Sequence, residues 1–575
     1  MGTPVAVGSQ SFEYMRREGS FYVDKTPFIK EWWENKDIVT LITRPRRFGK
    51  TLNQNMMECF FSNRYQGRGE LFQGLSIWEE EGYRALQGQF PVIFLSFADM
   101  KGSTFGAARE GLIAVLKELY RTHSYLLQGG ILREEEKKYF YSFGQAVEEG
   151  KRPCEEITDT TIAWAIKTLM SYMERYYGKQ VLVFLDEYDT PLQEAYVNGY
   201  WEDLAILVRS LFNSTFKTNR YLYRALMTGI TRVSKESIFS DLNNLLVVTT
   251  TSAEYSTAFG FTQEEVFQAM EEWGLSAQKE EVRSWYDGFC FGNRADMYNP
   301  WSITMFLKTG EFGTYWADTS SNKLVSKLLK EGTPEIKMHL EELLAGKSME
   351  VILDEQVIFE QLKVIKGAIW SLLVASGYLK PVNKNFQPDK GRYSYQLRIT
   401  NHETELMFRN MIAGWFPENV TAYSDFKKAL LLGDLDYMNR FMNEVSQEMF
   451  GSFDTGNRPS CAQPERFYHG FVLGLVVDLA GRYRIRSNRE SGFGRYDVIM
   501  EPKYTEDDGI IMEFKVFDSK RDGSLEGAVG NALDQIRQKR YETELVSRGI
   551  SRERIRIYGF VFEGKRVLIG QGEWE

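Results

Sequence analysis

The sequence predicts an α/β protein whose first part is a parallel β-sheet with crossover helices. The first observation is a set of short apolar, β-branched runs, each the length of a buried strand. The second is that long helical patterns separate most of these runs, which is the order that builds a parallel sheet. The third is a return of alternating strand and helix patterns near the C-terminus, which predicts a second α/β unit. The predicted strands of the first sheet are Ile38–Thr43, Phe90–Phe97, Val181–Leu185, Tyr221–Met227 and Leu245–Thr250.

Length and composition indicate a folded protein with more than one core. At 575 residues the chain exceeds what one hydrophobic core supports, so about two or three domains are expected. A content of 43% hydrophobic and 26% charged residues excludes a disordered chain. The net charge of −9 argues against general coating of nucleic acid but leaves room for a local basic face.

Cysteine spacing and apolar stretches predict the cellular setting. The longest apolar stretch, near Phe471–Leu479, is too short to span a bilayer, and Met1–Gln10 lacks a signal sequence. We therefore expect a cytoplasmic protein with no membrane partner, and leave oligomerisation open. The cysteines form no CxxC pair and predict neither a zinc site nor a disulfide framework: Cys59, Cys154, Cys290 and Cys461.

The first predicted strand runs into a loop that resembles a phosphate-binding loop. The loop is Arg44–Thr51, and the helix predicted after it covers Thr51–Phe61. A strand, a tight loop ending in Gly-Lys-Thr and a helix together present backbone N–H groups and a lysine to phosphates. The usual pattern has a glycine five residues before Gly49, where this chain has Arg44. An ordinary strand-to-helix turn is the alternative. The nucleotide-binding residues predicted here are Phe48, Gly49, Lys50 and Thr51.

A phosphate loop requires an acidic partner strand, and Val181–Glu187 has that character. We expect Lys50 to contact the β- and γ-phosphates of ATP, and Thr51 and Asp186 to support Mg²⁺. Glu187 is then the candidate base that deprotonates the attacking water.

Polar residues at the end of the fourth strand are further candidates for the nucleotide site. Thr228 or Thr231 would sense the γ-phosphate there, and Arg232 would stabilise transition-state charge unless it forms only a surface salt bridge. Asp189 is interpreted as a turn or helix-cap residue. Arg46 and Arg47 either add positive charge to the loop or face solvent.

Six short motifs in one order give this part of the chain a family resemblance. They are YVDKT, RPRRFGKT, FLDEYDTP, TGITRVSKESIFSDLNN, WYDGF and YNPWS. Together they resemble the bacterial AAA-ATPase-like family of P-loop proteins over Pro4 to Ser321. The resemblance implies a P-loop NTPase parallel sheet, and it implies that Arg44 is a family trait, because RPRRFGK is the usual form of the loop there. It says little about what the ATPase drives.

The segment after the first sheet is predicted to be mostly helical. Residues from about Phe261 to Leu344 carry two aromatic clusters, Trp285–Phe289 and Tyr298–Ser302, which we interpret as a packed helical lid with a glycine turn. The three predicted regions are a P-loop domain at 1–260, a helical lid or middle region at 261–424, and a C-terminal α/β domain with a leading helix at 425–575.

Two neighbouring strands near the C-terminus carry the residue types of a metal-dependent nuclease. Asp497 lies in the first strand, and the second, Ile510–Val516, carries Glu513 and Lys515 at alternate positions on one face. Asp497 and Glu513 would bind Mg²⁺ or Mn²⁺, and Lys515 would position the attacking water. A routine cross-strand charge pair gives the same pattern.

The block from Glu465 to Tyr541 resembles the PD-(D/E)XK nuclease superfamily. The motif order of that superfamily is present: a Glu on a leading helix, an Asp, the Glu-x-Lys pair, Gln535 and Tyr541. The resemblance implies a restriction-endonuclease-like α/β fold, with Glu465 as a further metal ligand and Gln535 contacting a ligand or phosphate. Tyr496 departs from the usual Pro before Asp497. His469, one helical turn after Glu465, is interpreted as structural. A basic stretch between helix and strand is the candidate phosphate-binding face: Arg482, Arg484, Arg486, Arg489 and Arg495.

Two hypotheses of different classes follow from these patterns. The first is an ATP-binding and ATP-hydrolysing protein coupled to a Mg²⁺-dependent nuclease, with DNA favoured over RNA as substrate. The second is a nucleotide-sensing switch whose C-terminal domain binds nucleic acid or a protein without cleavage. A third, weaker hypothesis makes the C-terminal fold purely structural.

Overall fold

The computed structural model describes the chain in two compact units. One unit comprises Met1–Leu328 with Glu342–Leu406, and the other comprises Leu329–Glu341 with Met407–Glu575. The described residues are 3–144, 157–231, 238–239, 241–319, 323–330, 334–344, 346–353, 367–413, 420–450, 479, 482–491, 494–563 and 566–574. Arg232, Glu465 and His469 lie outside them, as do the side chains of Arg489, Arg495 and Asp497. The division at residues 260 and 424 stays a prediction.

A five-stranded parallel sheet forms the centre of the first unit. Its order is β2-β3-β4-β1-β5, so that β4 separates β1 from the acidic strand β3. All residues of β1 and β3 are buried, as expected for a sheet covered on both faces. The α/β prediction is thereby confirmed. The strands are β1 (Val39–Thr43), β2 (Val92–Ser96), β3 (Val181–Asp186), β4 (Leu222–Gly229) and β5 (Leu245–Val248).

Helices cover this sheet because their apolar stripes match its buried side chains. In Asp159–Tyr177, for example, Ile162, Ile166, Leu169 and Met173 recur at helical spacing and are buried in the main core. The helices of the first unit up to the last strand of this sheet are Phe12–Arg17, Pro27–Asn35, Lys50–Phe61, Glu81–Arg84, Phe105–Thr122, Glu134–Gly144, Asp159–Tyr177, Thr190–Asn198 and Trp201–Phe216.

The segment predicted as a helical lid also contains a small sheet. Its strands are β6 (Phe261–Thr262), β7 (Phe289–Phe291) and β8 (Arg294–Tyr298), in the order β6-β8-β7. The mostly helical prediction missed them because strands of two to five residues leave almost no period in the sequence. The helices around them are Gln263–Glu272, Lys279–Tyr286, Pro300–Thr309 and Tyr315–Thr319.

A second small antiparallel sheet follows in the first unit, with the order β10-β11-β9. Its strands are β9 (Met349–Ile352), β10 (Leu379–Gln387) and β11 (Arg392–Ile399), and the buried helix Ala368–Ala375 precedes β10. Three further helices lie where the chain passes between the units: Lys323–Lys330, Pro334–Leu344 and His402–Ala413.

The second unit is built on a mixed five-stranded sheet in sequential order. The strands are β12 (Tyr483–Ser491), β13 (Gly494–Pro502), β14 (Gly509–Val516), β15 (Ile555–Glu563) and β16 (Arg566–Gly572), and only the β14–β15 pair is parallel. Separate apolar clusters pack on its two faces. Its helices are Val420–Leu432, Leu435–Phe450, Ser519–Asp522, Leu525–Gln538 and Thr543–Val546.

Over the described ranges, no helix combines the length and apolar character needed to cross a membrane.

Candidate functional site

The phosphate loop turns sharply between β1 and the helix Lys50–Phe61. Gly49 is the N-cap of the helix and has φ 78°, and Arg47 also lies in the left-handed region at φ 63°. Glycine adopts this conformation without a steric penalty, which explains its place at the last turn before the helix. The turn leaves the first N–H groups of the helix without intrahelical partners, and such groups favour anions.

Arg44 is a buried anchor of the loop. Its guanidinium donates to the carbonyl oxygens of Thr43 at 2.9 Å and Thr249 at 2.7 Å, and to that of Glu254 at 3.2 Å. It also lies over the ring of Phe291, 4.7 Å from the centroid, and burial lowers its pKa to about 9. The side chain that stands in place of the usual glycine therefore ties the loop to the chain after β5.

The next two arginines differ from each other in their surroundings. Arg47 is exposed, with its guanidinium 4.5 Å from the centroid of the Trp301 ring. Arg46 is half-buried, and its carbonyl oxygen accepts from Asn299 at 3.3 Å and from the Trp316 indole at 3.1 Å. The aromatic segment after β8 thus packs directly against the loop.

Lys50 and Thr51 occupy the first turn of the helix. The Lys50 ammonium donates to the carbonyl oxygens of Arg44 at 3.0 Å and Pro45 at 2.7 Å, and burial lowers its pKa. The Thr51 hydroxyl donates to Asp186 Oδ2 at 2.5 Å. The two residues therefore face different parts of the site, the lysine the loop and the threonine the acidic strand.

Asp186 is the centre of a polar network at the end of β3. Its other oxygen accepts from the Thr228 hydroxyl, and Thr228 in turn accepts from Gln54 Nε2 at 2.9 Å. Burial raises the pKa of Asp186, although the two hydroxyl donors oppose that shift. The predicted residues Thr51, Asp186 and Thr228 are thus brought together. Gln54 joins them without having been predicted.

Glu187, directly after β3, has a left-handed backbone conformation. Its φ is 51°, a conformation that costs a non-glycine residue of order 1 kcal/mol and has to be held by its surroundings. One carboxylate oxygen accepts from the Thr190 hydroxyl at 3.0 Å, and the residue lines the cleft described below.

Tyr188 and Asp189 hold the end of β4. Asp189 accepts from the backbone N–H of Thr231 at 2.8 Å, from its hydroxyl at 2.7 Å and from the N–H of Ile230 at 3.1 Å. The Tyr188 hydroxyl donates to the Thr231 carbonyl at 2.7 Å. Asp189 lies in the turn before the helix Thr190–Asn198 and is its N-cap residue, as interpreted from the sequence, although its side chain makes no capping hydrogen bond.

An open cleft of about 620 Å³ runs along the phosphate loop. Phe48–Thr51 and Glu187 line one part of it, and the N-terminal segment and Trp301 line another. Lys25, which sequence reasoning missed as a lining residue, is held by Glu265 at 2.7 Å and by the Thr257 carbonyl at 2.9 Å. In the sequence, Lys25 is marked only by its place in the YVDKT motif. The partners of Lys25 lie more than two hundred residues away and so leave no local pattern around it.

In the second unit, Glu513, Lys515 and Gln535 come together. Glu513 lies in β14 and is 4% exposed, and its carboxylate accepts from Gln535 Nε2. The Lys515 ammonium donates to Gln535 Oε1 at 2.8 Å, and the buried Tyr541 hydroxyl accepts from Gln535 Nε2 at 3.2 Å. One amide therefore links the acidic and basic residues of the predicted site.

The register of β13 and β14 determines where Asp497 lies along the sheet. Val498 pairs with Met512 and Ile499 with Ile511, so the antiparallel register continued by one residue places the backbone of Asp497 opposite that of Glu513. No group of three or more His, Cys, Asp or Glu side chains that could hold a metal occurs among the residues with described side chains. Glu465 and the Asp497 side chain fall outside that set.

The arginines predicted as a phosphate-binding face are engaged in ion pairs. Arg482 pairs with Asp507, Nε lying 2.6 Å from Oδ2. Arg484 lies 3.3 Å from Glu501, and Arg486 contacts both Glu501, at 2.9 Å, and Glu544. Carboxylates therefore balance much of the positive charge that the sequence pattern suggested, and the role of these arginines in binding nucleic acid stays a prediction.

Comparisons with known proteins identify two domain families in the chain. Residues 6–239 match the AAA-ATPase-like family model, described as "Predicted AAA-ATPase", and residues 463–572 match the PD-(D/E)XK nuclease superfamily. Both resemblances stated from the motifs are thereby confirmed. A protein of Azotobacter chroococcum mcd 1, described as "Uncharacterized protein in vnfD 5'region", is 24% identical over 584 residues, covering 97% of this chain and 98% of its own.

Proposed function

Because the chain joins an AAA-ATPase-like domain to a domain of the PD-(D/E)XK nuclease superfamily, we propose that it is an ATP-dependent, metal-dependent nuclease. It binds and hydrolyses ATP at the phosphate loop and cleaves phosphodiester bonds, most of all those of DNA, at the Glu513–Lys515 site. Nucleotide state controls cleavage. The observation that carries the proposal is the presence of both sets of polar residues, each assembled around a buried carboxylate.

The contacts in the first unit support the ATP-binding half. Lys50 would exchange the carbonyls of Arg44 and Pro45 for phosphate oxygens, and the helix N–H groups would bind the same phosphates. Thr51 and Asp186 form an all-oxygen pair that fits Mg²⁺, which prefers hard oxygen ligands. Bound Mg²⁺ would neutralise charge on the phosphates. Glu187 would accept the proton of the attacking water, and Thr228 would hold Asp186 in place.

The contacts in the second unit support the nuclease half. Glu513 supplies a buried carboxylate for Mg²⁺ or Mn²⁺, and Gln535 fixes its orientation. Lys515, held by the same amide, would position the water that attacks the phosphodiester. Asp497 and Glu465 are the further ligands that the motif order proposes.

A cleavage assay separates this proposal from a nucleotide-sensing switch. Linear, circular and single-stranded DNA and RNA would be incubated with Mg²⁺ or Mn²⁺ and either wild type, Lys515→Ala or the control Lys539→Ala. Lys539 is the exposed C-cap residue of the helix Leu525–Gln538 in the same unit. We expect wild type and the control to cleave and Lys515→Ala to lose cleavage by at least about a hundredfold. Bound ATP without cleavage of any substrate would contradict the nuclease and favour the switch.

A further inference from the structure

A long hairpin in the first unit carries an exposed aromatic pair that neither site uses. The hairpin is β10 and β11, whose antiparallel register places Phe386 opposite Tyr393 near the tip. Their ring centroids are 5.1 Å apart. Phe386 is 55% exposed and Tyr393 is 45% exposed, so both rings offer a large apolar area to solvent. A cross-strand aromatic pair stabilises a hairpin, and that role alone would explain the pairing.

The charge of the same hairpin is not explained by hairpin stability. From Leu379 to Ile399 the chain carries five cationic side chains and one carboxylate, Asp389, in a protein of net charge −9. One of the five, Lys380, lies with its ammonium against Gly288. Close cations repel one another, so their concentration here has a cost that an anionic ligand would offset.

The remaining four cations are available for a ligand. Lys384 lies over the Tyr393 ring, 4.1 Å from its centroid, so that positive charge and aromatic surface are continuous. Lys390, Arg392 and Arg398 are exposed, and none of the four has a carboxylate within 4.0 Å in the part of the chain that the structure describes. Arg482, Arg484 and Arg486 of the second unit, by contrast, are paired.

We propose that the β10–β11 hairpin binds a single strand of nucleic acid. Phe386 and Tyr393 stack on unpaired bases, while Lys384, Lys390 and Arg392 contact the phosphates. Proteins that bind single strands combine these two features, because every unstacked base offers an aromatic face and the backbone offers regular negative charge. A duplex buries its base faces and would use only the cations. The inference rests on the proposed function, to which it adds a surface that holds the substrate strand.

Two hairpin variants test the two kinds of contact by fluorescence anisotropy with a labelled oligothymidine strand. Phe386→Ala with Tyr393→Ala is expected to weaken binding about tenfold or more, because each lost stack costs several-fold or more in affinity. Lys390→Gln with Arg392→Gln is expected to flatten the dependence of log affinity on log salt by about 1.4, since each single-strand phosphate contact contributes about 0.7. The second variant changes only exposed polar side chains, so it decides the question if the first disturbs the hairpin.

The matched control is Trp164→Ala with Lys167→Gln on the helix Asp159–Tyr177. Trp164 is 49% exposed and Lys167 lies 4.8 Å from its ring centroid, so the control removes a similar exposed pair elsewhere in the same unit. It should leave binding unchanged, and all variants should retain ATP binding.

Unchanged affinity and salt dependence in both hairpin variants, with wild type still binding and cleaving, would overturn the proposed role of the hairpin and leave the proposed function in place. Tighter binding of duplex than of single strand by wild type would overturn it as well. A wild-type protein that neither binds nor cleaves any nucleic acid would overturn both this inference and the proposed function.

Discussion

Arg44 shows how a single side chain adapts the phosphate loop of this protein. Its guanidinium holds carbonyl oxygens that lie about two hundred positions later in the sequence, at the end of β5 and beyond. A glycine in its place would leave these carbonyls without the donor, and Thr249 is a buried residue. Arg44 therefore anchors the loop to the segment that follows β5.

Replacing Arg44 should destabilise the first unit more than replacing its neighbour. We expect Arg44→Met to lower the free energy of unfolding by about 2 kcal/mol or more, because buried carbonyl groups lose their partners. Arg47→Met should cost about 0.5–1 kcal/mol, the value of an exposed cation–π contact. Urea denaturation of both variants measures the difference, and equal losses would show that the buried contacts of Arg44 contribute little.

Asp189 should act on the rate of ATP hydrolysis and leave nucleotide affinity nearly intact. Asn in its place keeps the shape but weakens the bonds to Ile230 and Thr231, which position the end of β4 beside Asp186 and Glu187. A hydrogen bond to a charged group contributes about 1.5–3 kcal/mol, so Asp189→Asn should lower kcat about tenfold to a hundredfold.

Steady-state hydrolysis and direct ATP binding distinguish this effect from a structural one. KM and the affinity for ATP should change less than about threefold. The control is Glu202→Gln, an exposed carboxylate in the first turn of the next helix. A parallel loss of affinity and kcat in Asp189→Asn would indicate that the residue only maintains the fold.

The grouping of the candidate residues of the first site could be predicted from sequence because each motif lies within a few residues of a strand end. Phe48, Gly49, Lys50, Thr51, Asp186 and Glu187 line one cleft or bond to its lining residues, as their positions after β1 and β3 suggest. The long-range contacts of Arg44, Lys25 and Asp189 could not be predicted, since they join residues at least forty positions apart and leave no local pattern.

At the level of elements, the strands of the first parallel sheet were predictable and the short strands β6, β7 and β8 were not. β1 to β4 are mostly apolar and mostly buried runs, and each was predicted to within a few residues. The strands β6, β7 and β8 are too short for alternation to show. The basic pattern of Arg482 and β12 was recognised, but its carboxylate partners lie on other segments, which only the fold brings near.

The ion pair between Arg482 and Asp507 should make the second unit sensitive to acid. Hydrogen bonding to Arg482 holds the pKa of Asp507 below its ordinary value of 3.8. A depressed folded-state pKa gives stability that is present above the unfolded-state value and is lost as pH falls through the folded-state value. Wild type should therefore exceed Asp507→Asn in stability at pH 7, and the difference should shrink as pH falls below about 4.

Urea midpoints of the two proteins at pH 7, 4 and 3 would measure this trend. The control is Asp436→Asn. Asp436 is an exposed carboxylate in the first turn of the helix Leu435–Phe450, and it has no arginine partner among the ion pairs of the described residues. A stability difference for Asp507→Asn that stays constant from pH 7 to pH 3 would exclude the ion pair as its source.

At the level of the whole molecule, the chain combines two machineries that are each assembled within one unit. The cleft along the phosphate loop lies in the first unit, and the Glu513–Lys515–Gln535 group lies in the second. An AAA-ATPase-like domain and a nuclease-superfamily domain in one chain have a clear use together if, as proposed, nucleotide state sets when cleavage occurs. Coupling is therefore the central claim of the proposed function.

The most direct measurement of coupling is the cleavage rate with and without ATP in wild type, Lys50→Ala and the control Lys117→Ala, whose lysine is exposed on the helix Phe105–Thr122. Chelation of divalent metal should abolish cleavage in all three proteins. We predict that ATP changes the wild-type and control rates at least about tenfold, and leaves Lys50→Ala unchanged because its phosphate contact is lost. A rate that is the same with and without ATP in wild type, or the same ATP response in Lys50→Ala, would contradict an ATP-coupled nuclease.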